Sequence, residues 1–261
     1  MVVQAGSELP WRSMLLDLLA SGMSGEQAVR ALATVPGAAE AQFAAVGVRG
    51  PASVFTGPDC ISEAGHSARD AVSVQANMMA SATVWPAMLE AYSTAPGDLA
   101  DRLVAALVAA EREGGDVRGP QSAALLVVGP QRGAQATGNA DDPVIDLRVD
   151  DSRDPVGDLS RLLTVARAHR HLIRSGMTAG DDALRNAELP AAVAIAPDDP
   201  AVLRSAGITL TLHGFADEAL PLLERAIAVE PGVQRWARVS AERALRNGNL
   251  NGAVLLDWLN G

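Results

Sequence analysis

Two regimes of apolar spacing divide the chain. Up to about residue 155, segments of helical period alternate with short strand-like runs. Trp11 to Ala20 sets Trp11, Leu15, Leu18 and Leu19 on one face and predicts a helix. Ser24 to Ala33 predicts a second, with Ser24 and Gln27 spaced as a capping box and Gly22 and Pro36-Gly37 punctuating its ends. Gln42 to Val48 and Ala52 to Thr56 read as strands joined through Arg49-Gly50-Pro51, and Ala71 to Asn77 as another. Val84 to Tyr92 and Asp98 to Glu113 return to helical period, the second with an aspartate cap and a Gly114-Gly115 stop. Ser122 to Val128 and Val144 to Val149 read as two further strands. Helices before and between strands with antiparallel-type connections predict helix layers packed on sheet, an α+β fold.

From Pro155 onward the apolar positions keep the helical period, and Gly and Pro stand only at helix ends. This predicts two domains, residues 1–158 and 159–261, with the charged DDSRDPVGD stretch as a hinge. Counting from Pro200 as position one, Leu203, Ala206, Gly207, Leu210, Gly214, Ala219, Leu223, Ala226 and Pro231 fall where a tetratricopeptide repeat places its defining residues. A unit starting at Gln234 gives Ala241, Gly248 and Ala253 at matching small positions, and a degenerate unit is expected over about 166–199. Small residues let paired helices approach, and proline stops the second helix of each pair. Such units bind extended peptides or dimerise, so a peptide or protein partner is one expectation. A helical cap on the first domain is the other.

Composition narrows the chemistry. The chain has 261 residues and a formal net charge of −10, and all 21 of its basic residues are arginine. Without lysine there is no Schiff base, no pyridoxal phosphate attachment and no P-loop lysine. The acidic balance supplies no basic stripe for nucleic acid. A single cysteine, Cys60, excludes an internal disulfide framework and a Cys-rich zinc site. No basic segment followed by an apolar core opens the chain, and no stretch reaches the eighteen or so apolar residues of a membrane span. A cytoplasmic protein without a membrane partner is therefore expected. No Gly-rich phosphate loop or metal-ligand spacing occurs, so no cofactor and no metal is proposed.

Three motifs standing in order carry a resemblance over roughly residues 2–160. They are Thr56-Gly57, Cys60 and Ala64-Gly65-His66; Val74-Gln75 and Asn77-Met78 with Gly114-Gly115-Asp116 and Arg118-Gly119; and Gln121 to Leu125 with Asp146 to Asp151. With them the chain resembles an uncharacterised bacterial family of Ntn-hydrolase-like proteins, known as domain of unknown function 1028. The resemblance implies a four-layer αββα sandwich and amide hydrolysis by an N-terminal Thr, Ser or Cys whose own α-amine is the base. Relatives begin with two further strands that supply this nucleophile, whereas MVVQAG aligns inside a later strand. The sandwich is thus expected to lack its first strands, and neither Met1 nor Val2 can act as nucleophile. Ala76 and Ser152 replace the family's usual glycine and histidine. Missing strands should expose a sheet edge, which a homo-oligomer or a partner subunit would cover.

Six residues are candidates for the site. Asn77 reads as an oxyanion donor or as a tie between strand end and loop. His66, between Gly65 and Ser67 in an expected loop, reads as a general base or a loop anchor. Asp116, Arg118, Gln121 and Ser122 share a helix-to-strand turn, where an arginine can grip a substrate carboxylate or pair with the aspartate. Two functions remain open. One is an Ntn-type hydrolase of a small amide or peptide-like compound, incomplete without its nucleophile; the other is an inert relative that binds or assembles through its helical repeats.

Overall fold

The computed structural model describes residues 2–5, 9–46, 50–129, 144–177 and 182–261. These form two compact units, Met1–Leu159 and Ser160–Gly261, and the protein is of the α+β class. Among the described residues no helix is long and apolar enough to cross a membrane.

The first unit opens with strand β1 (Val2–Ala5), helices α1 (Leu9–Ala20) and α2 (Gly25–Leu32), and strands β2 (Ala41–Ala45) and β3 (Ser53–Thr56). Ser24 caps α2 as its sequence predicts, since both hydrogen bonds of the capping box form with Gln27. The strands make one antiparallel sheet in the order β1-β2-β3. All five residues of β2 are buried. Because successive strand residues face opposite ways, Phe43 and Gln42 lie on opposite faces. Phe43 meets the edge of Trp11 at 5.4 Å and stacks on Phe55 at 5.6 Å, building a core with Leu15, Val29 and Leu32 of the helices.

Strands β4 (Gly65–Arg69) and β5 (Val72–Ala76) form an antiparallel hairpin about the two residues Asp70 and Ala71. Helices α3 (Val84–Thr94) and α4 (Leu99–Arg112) follow, with α3 packed on this hairpin. Asp98 caps α4 and shares a capping box with Asp101. Strands β6 (Ala123–Val127) and β7 (Ile145–Val149) pair antiparallel.

Two sequence expectations are corrected here. Residues 65–69 are strand where a loop was expected, because GHSAR has none of the branched or aromatic side chains that mark a strand and is held extended by pairing with VSVQA. Val2–Ala5 is a strand, as the resemblance implies and periodicity alone does not. The expected hinge ends in helix: α5 (Pro155–Met177) takes its last four residues, as the Asp154 carboxylate accepts from Gly157 N–H at 3.0 Å. The end of the expected Gln42–Val48 strand and its Arg49 connection lie outside the described residues.

The second unit holds most of α5 and the helices α6 (Asp182–Ile195), α7 (Pro200–Leu212), α8 (Ala216–Val229), α9 (Gly232–Arg246) and α10 (Asn251–Asn260). Helices α7 and α8 pair closely, as do α9 and α10. A methyl group at Gly207 would stand 2.6 Å from Leu223 Cγ and 3.1 Å from Ala219 O. Asn249 and Asn251 both donate to the Leu212 carbonyl, tying the second helix pair to the end of α7. Gly207→Ala gains up to about 1 kcal/mol of helix propensity, but overpacking a buried contact costs about 1–3 kcal/mol. The expected outcome is a net loss of about 1 kcal/mol, read as faster amide hydrogen exchange across α7 and α8. Slower exchange there would show that this helix pair has room to spare.

Candidate functional site

Gln42 sits at the centre of a polar network inside the first unit and is completely buried. Its Nε2 donates to the backbone carbonyls of Gly65 (3.2 Å) and Ala76 (2.9 Å) and to Thr56 Oγ1 (3.0 Å). Carbonyl oxygens only accept, so this fixes which end of the carboxamide is nitrogen. Oε1 then faces the other way, accepting from Gln4 Nε2 (2.7 Å) and Asn77 Nδ2 (3.1 Å). One side chain of β2 thereby ties together β1, β3, both strands of the β4–β5 hairpin and Asn77.

The network ends in a hydroxyl–imidazole pair. Thr56 Oγ1 and His66 Nδ1 are 2.8 Å apart. In the tautomer that carries the imidazole proton on Nε2, Nδ1 accepts from the Thr56 hydroxyl. Burial of the ring lowers the His66 pKa, so the imidazole is neutral at neutral pH. Thr56 and His66 line a cavity of about 450 Å³ with Cys60, Glu63 and Trp85 among its other walls. Glycine is required twice beside it. A methyl group at Gly65 would stand 2.5 Å from Trp85 Cε2, and one at Gly57 would stand 2.5 Å from the Ala38 carbonyl. Burial pushes the Cys60 thiol up, with the Gly57 backbone hydrogen bond opposing and Asp59 and Glu40 adding. That is the reverse of an activated cysteine.

Backbone hydrogen bonds draw the sequence motifs together at Asn77. Met78 N–H donates to Ile61 O and Met79 N–H to Glu63 O, while Val117 N–H donates to Met78 O and Ala80 N–H to Gly115 O. Met78 holds a left-handed conformation (φ 58°) in the middle of this crossing, a backbone state that costs of order 1–3 kcal/mol and clusters at functional sites.

Asn77 and His66 are joined through Gln42 and Thr56. Asp116 and Arg118 are joined to each other: Nε and Nη2 of Arg118 grip the two carboxylate oxygens at 2.9 and 2.6 Å. The hydrogen bond from Arg118 holds Asp116 below the usual carboxylate range. The fork of Arg118 is thus turned onto its own turn. Gln121 Nε2 reaches Asp151 at 3.5 Å, and the backbone carbonyl of Gln121 accepts from Ser152 N–H at 2.8 Å. Ser122 stands exposed beside the start of β6, outside the Gln42 network. Sequence reasoning missed Gln4 and Gln42 and treated Thr56 only as part of a motif. The one signal for Gln42 was a lone carboxamide in the apolar run AQFAAV. Among the described residues no three His, Cys, Asp or Glu side chains gather as metal ligands.

Residues 1–159 match the family of unknown function DUF1028. The crystal structure of a DUF1028 protein from Silicibacter pomeroyi is similar at a TM-score of 0.54 with 30% sequence identity, over 63% of this chain and 70% of that one. No functionally curated protein matches the chain.

Proposed function

The chain belongs to this family of unknown function, and we propose that its first unit hydrolyses a small amide or peptide-like compound, with the Thr56 hydroxyl as nucleophile and the His66 imidazole as base. The observation that carries this reading is the 2.8 Å contact between Thr56 Oγ1 and a neutral His66 at a cavity wall. Thr56 oxygen attacks the amide carbon while its proton passes to His66 Nδ1. Collapse of the tetrahedral adduct breaks the C–N bond, and the departing amine takes that proton. Water then repeats the sequence on the threonyl ester, releasing the acid and restoring Thr56. Gln42 aims the hydroxyl, and Asn77 aims Gln42, which makes Asn77 a positioning residue here. A finer reading of the fold as an αββα sandwich is supported by the placement of β2 between the α1–α2 core and the β4–β5 hairpin, with α3 on that hairpin's outer side.

The test is covalent labelling. A fluorophosphonate probe is expected to lose fluoride to Thr56, with the adduct mapped there by mass spectrometry. Thr56→Ser should retain labelling, and His66→Asn should slow it by about 10²–10⁴-fold. The rate should rise with a midpoint below the ordinary 6.5 of histidine and be flat through neutrality, because burial disfavours the imidazolium. The same shift makes stability complete above about pH 6.5 and lost as the pH falls through the folded-state pKa, since the unfolded chain takes up the proton first. Labelling of Thr56→Ala at the wild-type rate would sink the proposal.

For the second unit, the close approach at Gly207 supports the tetratricopeptide-like reading. A binding role is favoured by Trp236, which is 57% exposed with the Arg204 guanidinium 5.9 Å from its ring centre.

A further inference from the structure

The second unit carries eleven arginines against eleven carboxylates, yet the charge is unevenly laid. Helix α9 alone has four arginines and one glutamate. At about 100° per residue, Arg235, Trp236, Val239, Arg243 and Arg246 fall in one stripe, turned away from the buried Val233, Ala237 and Ala241. All five are exposed, Trp236 at 57% and Val239 at 46%. Arg204 of α7 joins the stripe, with its guanidinium 5.9 Å from the Trp236 ring centre. Among the described residues, no carboxylate pairs with Arg204, Arg235, Arg243 or Arg246. Arg204 Nε is moreover shut away from solvent without an acceptor, a condition that native proteins rarely tolerate and that is costly for a cationic donor.

We propose, on the reading of the second unit as a binding module, that this stripe receives a short acidic segment of a partner polypeptide, one carboxylate of which is held by Arg204 against the Trp236 ring. Charge sets the sign of the segment, since four arginines stand there without a carboxylate among the described residues. Arg204 gives up no hydrogen bond when it turns toward the newcomer, and its Nε–H and Nη2–H then meet the two carboxylate oxygens as a fork. Trp236 and Val239 call for an apolar residue beside that carboxylate. Tryptophan and arginine are the side chains that most often carry the energy of an interface. From Arg235 to Arg246 the stripe runs about 17 Å along α9, a distance that about five extended residues span. A long polyanion such as a nucleic acid would run beyond the stripe into the field of a chain of net charge −10. Two exposed apolar side chains are too small an area to hold a membrane surface. A short acidic segment meets neither obstacle.

The test selects from a phage-displayed heptapeptide library on the full chain. Enrichment of peptides with two or more carboxylates beside an apolar residue is expected. A fluorescein-labelled copy of an enriched peptide, followed by anisotropy, should bind Arg204→Gln and Trp236→Ala at least tenfold more weakly. Arg243→Gln, at an exposed position that leaves the fold intact, should weaken it about threefold. Arg30→Gln, at an arginine paired with Glu26 in the first unit, should leave binding unchanged. Raising the salt from about 50 to about 500 mM should cost at least tenfold. Every variant is checked for native circular dichroism. Enrichment of neutral or basic peptides would keep the second unit a binding module and overturn the acidic segment, whereas no enrichment of any peptide would overturn both. Equal binding by wild type, Arg204→Gln and Trp236→Ala would overturn the proposal. Tighter binding of phosphatidylserine vesicles or single-stranded DNA, lost in Arg204→Gln, would assign the stripe to phosphates and overturn it. Binding that tightens at least tenfold when Asp141→Asn, Asp142→Asn, Asp181→Asn and Asp182→Asn are combined would assign the stripe to the chain's own acidic pairs and overturn it as well. None of these readouts involves Thr56, so the outcome is independent of the hydrolase reading.

Discussion

Gln42→Leu is expected to cost the first unit about 3 kcal/mol, although leucine nearly matches the volume and suits a buried strand. The loss comes from groups left behind: the Gly65 and Ala76 carbonyls lose their side-chain donor, and Gln4 and Asn77 lose their acceptor. A buried polar group left unpaired costs about 1–3 kcal/mol, and several stranded together offset leucine's gain in apolar burial. For a unit of this size the melting temperature should fall by roughly 10 °C. Gln42→Glu sharpens the test. Its shape is closer still, but a carboxylate oxygen would replace the nitrogen that faces two carbonyl oxygens, so it should be at least as harmful. Thermal unfolding read from the first unit's amide exchange decides; a Glu variant as stable as wild type would show that the fold does not depend on this donor to the two carbonyls.

Gly57→Ala is expected to be comparably destructive through a different mechanism. The added methyl would meet two successive backbone carbonyls, those of Ala38 and Ala39. Neither is a side chain that can swing aside. The Ala39 carbonyl also accepts from Asp59 N–H at 2.8 Å, and Gly57 N–H donates to Ala41 O at 2.9 Å, so the clash pushes on a pinned loop. Overpacking of this kind costs about 1–3 kcal/mol. Because Gly57 follows Thr56 directly, the displacement should also lengthen the 2.8 Å contact with His66. A melting temperature lowered by roughly 6 °C and fluorophosphonate labelling slowed at least tenfold are the expected results. Unchanged labelling in a destabilised variant would separate the loop's packing from the aim of the hydroxyl.

What could be read in advance followed the range of the interaction. The Ser24–Gln27 and Asp98 caps were legible because cap and partner lie three residues apart, and the physics is local. Helices α3, α4 and α8 to α10 were legible because each buries one stripe, and α7 because its buried small and apolar positions keep the helical period. Strand β4 was not, since GHSAR has no strand propensity and becomes strand through its partner. Placing His66 in a loop was the direct consequence. Gln42 was opaque for the same reason: its partners lie 14 to 38 residues away, and no spacing rule connects them. The pairing of Asp116 with Arg118 was open beforehand, because two residues of separation permit an ion pair without requiring one.

The β4–β5 hairpin turns on two residues, with Asp70 in a left-handed conformation (φ 51°) that aspartate tolerates better than most. Four positions before it stands His66, opposite Gln75. A strand presents its side chains by parity, so the hairpin acts as a ruler whose zero mark is Asp70. A substitution at the tip leaves the count intact. An inserted or deleted residue there changes it by one, which would turn the imidazole from Thr56 to the opposite face and bring Ser67 or Gly65 round in its place. Variation in this unit is therefore constrained in length at a spot where it is nearly free in composition, and the information kept there is a number.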